Sequence, residues 1–189
     1  MRDNMNAAGT SGAEVSRTGA VDEQMQARGI YTAICYDKDG REKWRDTFKN
    51  LVTTVGKNDM LDKYLAGSAY TGAFYLGLIS LVGYSAIAAA DTMASHAGWT
   101  EAGAANAPAY SQGARPTAAW SAAAAGAKAL STSLTFSITS AGTIKGSFLS
   151  TVATKDGTTG ILFSAGLFTG GDKVVTNGDS VSVSYSLSV

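Results

Sequence analysis

The chain has 189 residues, which fits one domain with a tail or at most two small domains. Its 15 basic and 15 acidic side chains leave no basic excess, so the composition argues against nucleic-acid binding by phosphate neutralisation. Charged residues make up 16% of the sequence, well below the usual quarter, and we therefore expect much of the surface to face other protein.

Residues 1–27 show no sustained hydrophobic period and few large apolar side chains. They lack the apolar region of a secretory signal and are predicted to form a flexible N-terminal arm, with room for a short helix near 20–27. Residues 28–189 are predicted to form a single β-sandwich domain.

A β-hairpin is predicted directly after the arm. Residues 29–36 are β-prone, with Ile30 and Ile34 on one face and Tyr31, Ala33 and Cys35 on the other. A turn over 37–40 leads into a second strand over 41–50. The single cysteine, Cys35, cannot form an intramolecular disulfide and is interpreted as a small buried hydrophobic residue. Because residues 28–63 carry 14 of the 30 charges, the solvated face is expected here.

One short helix is predicted next, from apolar residues at 60, 61, 64 and 65, with Asn58 capping its start and Gly67 its end. Residues 73–79 then read as a buried strand, and 84–87 as a candidate partner strand. The run from 64 to 90 has no charged residue, but glycines interrupt it, so no membrane-spanning helix is expected.

The only histidine lies in the segment 91–101, which is therefore the first place to look for a metal site or a catalytic site. Asp91, His96 and Glu101 are weak candidates for a metal site. Ser95 and His96 are equally weak candidates for a nucleophile with its general base, because adjacent residues of an extended chain point to opposite faces. The favoured interpretation is a structured loop in which Asp91 caps a turn, His96 hydrogen-bonds backbone and Trp99 packs over it. We predict no enzyme, and no catalytic, cofactor-binding or metal-binding residues.

Residues 102–126 form an Ala/Gly-rich segment that contains both prolines of the chain, Pro108 and Pro116. It is predicted to be a long surface loop with one short strand near 117–120. Together with the arm 1–27, this loop is the segment that we expect to contact a partner.

The last third carries the strongest β pattern. Leu134, Phe136 and Ile138 alternate with polar residues, and Ile144, Gly146 and Phe148 continue the alternation on the return strand. Residues 161–163 read as a buried run. Residues 180–189 close the chain with period two, and Asp156, Asp172 and Asp179 lie in turn sequences. The predicted fold is all-β, a β-sandwich or jelly-roll-like body with one short α-helix and an extended N-terminal arm.

Several segments resemble a family of tailed-phage proteins whose genes lie beside head and tail genes. The resemblance covers about 28–189 and is carried by DKDGREKW (37–44), NLVTTVGKN (50–58), DTMASHAGWTE (91–101), Tyr110, Arg115-Pro116, FSIT (136–139) and GTIKG (142–146). It implies a virion structural protein assembled in the host cytoplasm, and offers no catalytic residues.

The function that the resemblance implies is a capsid decoration or cement protein that stabilises the head through subunit–subunit contacts. The expected partners are the major capsid protein and further copies of this chain, in an oligomer such as a trimer, with no nucleic acid, membrane or cofactor. The alternative is a tail or collar component, such as a fibre adaptor or baseplate piece.

Overall fold

The computed structural model describes residues 26–65, 67, 69 and 72–189. The predicted arm 1–27 lies outside these residues, except for Gln26 and Ala27. As predicted, the described chain is all-β with one short helix. Its strands are β1 (Arg28–Tyr36), β2 (Glu42–Val52), β3 (Tyr75–Ser80), β4 (Thr100–Gly103), β5 (Asn106–Ala109), β6 (Ala127–Ala129), β7 (Leu134–Ser137), β8 (Gly142–Ser150), β9 (Leu162–Leu167), β10 (Lys173–Val175) and β11 (Ser180–Ser188).

The β1–β2 hairpin forms as predicted. Gly40 takes φ +80° and donates its backbone N–H to the Asp37 carbonyl at 3.0 Å, which closes the turn. On β1, Tyr31, Ala33 and Cys35 are fully buried, whereas Ile30 on the opposite face is exposed. The alternation in the sequence therefore identified the two faces of the strand.

The helix α1 (Thr54–Tyr64) begins five residues earlier than predicted. Thr53, not Asn58, is its N-cap, since the Thr53 hydroxyl accepts the Gly56 N–H at 3.1 Å. Leu65 is the C-cap, and Gly67 lies two residues beyond it with φ +65°. The first turn packs against β9: Thr53 donates its backbone N–H to the Phe163 carbonyl at 3.1 Å, and a Cβ added at Gly56 would be 2.3 Å from that same oxygen.

Hydrogen bonds join the strands in the order β5-β4-β3-β8-β9-β2-β1-β11-β6, with β10 beside β8 and β7 beside β11. Strand β2 links two halves of this sheet, because its first part pairs with β1 and residues 50–52 pair with β9. The sheet also closes on itself. Ser111 N–H donates to the Ser137 carbonyl and Thr139 N–H to the Ala109 carbonyl, each at 2.9 Å, so the chain after β5 meets the chain after β7. The jelly-roll connectivity stays a prediction.

The main core lies between the two halves and is rich in aromatic rings. Tyr31 contacts Phe48 and Tyr185 with ring centroids 5.3 and 4.6 Å apart, and all three rings are buried. A smaller cluster, formed by Ile79, Met93, Trp99, Phe148, Leu162 and Ala165, is built around side chains of β3, β8 and β9. The loop 81–99 supplies Met93 and Trp99 to it, so this loop is packed against the body.

A bulge in β8 separates these clusters. Ile79 pairs with Gly146 and Ser80 with Ile144, which leaves Lys145 as an extra residue. Ile144 therefore belongs to the main core and Phe148 to the smaller cluster. The prediction that residues 144, 146 and 148 continue one alternation was wrong for this reason.

One prediction about the middle of the chain was also wrong. Residues 84–87 form no strand, and the partners of β3 are β8 and β4. The segment 102–126 contains β5 and places Ala102, Tyr110 and Ala118 in the main core, while residues 110–126 form no named strand. Near the predicted strand at 117–120 there are two isolated bridges, Thr117 to Tyr75 and Trp120 to Leu130.

Candidate interaction surface

The segment around the only histidine is a structured turn, as predicted. Asp91 Oδ2 accepts from the Ala88 backbone N–H at 2.8 Å and from the Trp99 indole N–H at 3.0 Å. His96 Nδ1 lies 3.0 Å from the Trp99 carbonyl oxygen, and the two rings stack at 4.0 Å. Because a carbonyl oxygen only accepts, this contact requires the proton on Nδ1. The polar groups of the turn thus bind one another.

The weak metal candidates Asp91, His96 and Glu101 are each held by other contacts. His96 and Glu101 line a small cleft of about 160 Å³, but both carboxylate oxygens of Glu101 accept from Arg115. Within the described residues, no group of three or more His, Cys, Asp or Glu side chains is placed to hold a metal ion.

A buried ion pair fixes the Ala/Gly-rich segment to the sheet. Arg115, whose side chain is 0% exposed, donates from Nε and Nη2 to Glu101 at 2.8 and 2.7 Å. Its Nη1 donates to the Ser150 hydroxyl at 3.2 Å and to the Val152 carbonyl at 2.7 Å. The four bonds use four of the five guanidinium N–H donors, two of them in bidentate contact with one carboxylate. Its effect is to tie residue 115 to β4 and to the end of β8.

Lys155 and Asp156 extend this network. Lys155 Nζ donates to the carbonyls of Gly103 and Tyr110 at 2.9 and 3.1 Å, and it lies 3.7 Å from the centroid of the Tyr110 ring. Partial burial lowers the pKa of Lys155 from its usual value. Asp156 donates its backbone N–H to Glu101 at 2.6 Å and accepts the Ala105 N–H at 2.9 Å. These charges therefore hold backbone in place.

Two further polar groups have structural roles. Asp179 Oδ2 accepts from Lys43 at 2.5 Å and from the Thr176 N–H at 2.7 Å, as its turn position predicted. Burial alone would raise the pKa of Asp179, but these hydrogen bonds outweigh it and hold the pKa below its usual value. Burial raises the pKa of the Cys35 thiol to about 12, and the nearby Asp179 carboxylate adds to this. Cys35 is therefore a protonated core residue at neutral pH.

A large open feature of the described surface lies beside α1. We call it the helix groove, a depression of about 830 Å³ lined by Gln26, Ala27, Lys57, Met60, Leu61, Tyr64, Leu65 and Val189. Tyr64 is 88% exposed and Leu65 73% exposed. The helical stripe at 60, 61, 64 and 65 was visible in the sequence, but its exposure was not. Apolar stripes on short helices normally face a core.

The helix groove shares one end of the body with an exposed turn of small residues. Val189, which lines the groove, donates its backbone N–H to the Gly126 carbonyl at 3.0 Å. Gly126 ends the run SAAAAG at 121–126, in which every residue is exposed. Arg28, at the start of β1, pairs with Ser188 at this same end. We call the helix groove together with residues 121–126 the apolar end.

The opposite end of β1 is charged. Its nine residues span roughly 27 Å, and the turn that follows contains Asp37, Lys38, Asp39 and Arg41. Hydrogen bonds from the Arg41 and Asp39 backbone N–H groups hold the pKa of Asp37 below its usual value. The turn end therefore carries solvated charges of both signs, whereas the apolar end combines exposed apolar side chains with the exposed cations Lys57 and Arg28.

No protein-family model matches the chain, and no curated protein matches it in a sequence search. No helix among the residues that the structure describes is long and apolar enough to cross a membrane.

Proposed function

We propose that this chain is a structural component of a tailed-phage virion, a capsid decoration protein that acts by binding its neighbours and not by catalysis. The sequence resemblance over 28–189 supports the virion assignment. The observation that carries the binding role is the apolar end, where the helix groove and the exposed turn 121–126 lie together. Exposed apolar surface of this kind is typical of interaction sites.

The division into two ends supports attachment through the apolar end. A subunit bound there would display its charged turn, 37–41, to solvent. Many copies, each burying a modest patch, stabilise a shell collectively because symmetry repeats the same contact. The partners in this proposal are the major capsid protein and sister subunits, in an oligomer such as a trimer.

The number of copies of this protein per particle tests whether it lies in the head or in the tail of the virion. We expect quantitative mass spectrometry of purified virions to find hundreds of copies, in a fixed ratio to the major capsid protein. A count of about six to eighteen would instead favour the tail or collar alternative, since tail symmetry sets such numbers. Finding no copies in purified particles would contradict both assignments.

A matched pair of surface variants tests the apolar end. Leu65→Asp places a charge in the helix groove, and Val174→Asp places the same charge on β10, where Val174 is 61% exposed. We expect Leu65→Asp to weaken binding to particles lacking the protein at least tenfold, about 1.4 kcal/mol. Val174→Asp should bind like the unmodified chain. Equal binding by both variants would refute attachment through the groove.

A further inference from the structure

Positive charge borders the apolar surface of the helix groove. Lys57 lines the groove, four and seven residues before Leu61 and Tyr64, and so shares their face of α1. Arg28, at the start of β1, donates to Gln26 Oε1 in the groove wall, from Nε at 3.1 Å and from Nη2 at 2.5 Å. Two separate elements, α1 and β1, thus place a cation beside the groove.

Two further cations extend this charge over the apolar end. Lys49 lies opposite Ile30 in the β1–β2 pairing, so it is a diagonal neighbour of Arg28 on the exposed face of the sheet, about 7–8 Å away. Lys128, on β6, donates from Nζ to the Ser121 carbonyl at 2.9 Å, which places its charge at the exposed turn of the apolar end.

No described carboxylate pairs with these four cations. The exposed carboxylate of α1, Asp62, does not line the groove. The opposite end of the body differs, because Lys38 and Arg41 in its turn both pair with Asp39. A partner that brings carboxylates therefore meets unpaired positive charge at the apolar end and compensated charge at the turn.

The position of Lys57 limits what can cover the groove. A partner that covers Leu61, Tyr64 and Leu65 gains roughly 25 cal/mol for each Å² of apolar surface removed from water. The same partner removes water from the ammonium group of Lys57, and a charge that loses water without gaining an opposite charge is unfavourable. The partner therefore needs a carboxylate next to its apolar side chains.

We propose that the helix groove binds an acidic amphipathic segment of a partner protein, whose apolar side chains enter the groove while its carboxylates pair with Lys57 and Arg28. That this partner is a virion neighbour such as the major capsid protein rests on the proposed function. A protein segment is favoured over an anionic membrane because the site is a depression of about 830 Å³, which side chains can fill and a flat bilayer surface cannot.

The test uses the purified chain and two synthetic peptides. In both, leucines recur at the i, i+3, i+4 and i+7 spacing of one helix face, and the other positions are mainly glutamate in one peptide and lysine in the other. We expect the glutamate peptide to bind at least tenfold more tightly in fluorescence anisotropy. Its affinity should fall between about 0.1 M and 1 M salt, as the Debye length falls from about 10 to 3 Å.

Equal binding of the two peptides, tighter binding of the lysine peptide, or no binding of the glutamate peptide would overturn the proposal. Because no particle is present, these results are independent of whether the virion assignment holds.

Charge reversal tests where the peptide binds. Arg28→Glu with Lys57→Glu should reverse the preference, so that the lysine peptide binds more tightly. Lys38→Glu with Arg41→Glu makes the same change at the opposite turn, where both side chains are 75% exposed, and should leave the preference unchanged. Circular dichroism checks folding, and Lys57→Glu alone replaces the first variant if that variant does not fold. An unchanged preference in the groove variant would overturn the proposal.

Two other occupants of the groove predict different results. Binding of the chain to vesicles of phosphatidylserine and phosphatidylcholine, without binding to the glutamate peptide, would show that the groove recognises a lipid surface. Self-association in analytical ultracentrifugation that Leu65→Asp abolishes would show that a second copy of the chain occupies the groove. Either result would overturn the proposal.

Discussion

The buried pair between Glu101 and Arg115 makes a sharp prediction about stability. In Glu101→Gln the side chain keeps its size but loses its charge, so the guanidinium of Arg115 stays buried without a carboxylate. The change affects two charge-assisted hydrogen bonds from Arg115 and one from the Asp156 backbone N–H, all between 2.6 and 2.8 Å. Removing one partner of a buried pair costs about 3–5 kcal/mol.

This cost is large relative to the whole fold. Domains have a free energy of unfolding of about 5–15 kcal/mol. For a chain of this length each kcal/mol lowers the melting temperature by roughly 2–4 °C, which gives a decrease of about 6–20 °C. Urea denaturation and thermal unfolding, followed by circular dichroism, measure both quantities.

The chain offers a matched control in Glu42→Gln. Glu42 pairs with Arg45 at 2.8 Å, but the two side chains are 40% and 52% exposed. An exposed pair contributes about 0–1 kcal/mol, so Glu42→Gln should leave stability nearly unchanged. If Glu101→Gln and Glu42→Gln reduce stability equally, the network around Arg115 does not anchor the Ala/Gly-rich segment as we describe.

Three further predictions concern single polar groups. The buried hydroxyl of Tyr110 has no hydrogen-bond partner among the described residues. Tyr110→Phe should therefore leave the free energy of unfolding unchanged or raise it by up to about 1 kcal/mol. A free energy of unfolding that falls by more than about 1 kcal/mol in urea denaturation would show that the hydroxyl has a partner. The pKa of Asp179 is lowered in the folded state, so its carboxylate stabilises the fold at neutral pH, and this stabilisation is lost as the pH falls below about 4. Asp179→Asn should therefore lower the free energy of unfolding by about 1–3 kcal/mol at pH 7 and by clearly less near pH 2.5. An equal decrease at both pH values would contradict this role of the carboxylate. The Cys35 thiol, buried and with a pKa of about 12, should react with iodoacetamide at pH 8 only at the rate of unfolding, and fast labelling of the native chain would contradict its burial.

Local patterns in the sequence were sufficient where the structure depends on neighbouring residues. The hairpin turn at Gly40, the alternation along β11 and the turn from Asp91 to Trp99 were all predicted, because short-range hydrogen bonds or a period of two define them. The same holds for the burial of Cys35, which follows from its place in the alternation of β1.

The segment 102–126 could not be predicted in the same way, because its order comes from distant residues. Arg115 is held by Glu101 and by the end of β8, and Tyr110 pairs with Ile138. An alanine- and glycine-rich sequence gives no sign of such contacts, since it has no strong local preference for strand or helix. The bulge at Lys145 was missed for a related reason, because it depends on the register with β3.

Sheet pairing limits how this body can bind a neighbour. The three nine-residue strands β1, β8 and β11 are each paired along both edges, β1 by β2 and β11, β8 by β3 together with β9 and β10, and β11 by β1 together with β6 and β7. Adding a strand from another chain requires an unpaired edge, which these long strands do not offer. Association at these three strands must therefore use side-chain surfaces. The helix groove combines a large depression with the most exposed large apolar side chains among the described residues, Tyr64 and Leu65, so we expect changes there to affect association more strongly than changes along the strands.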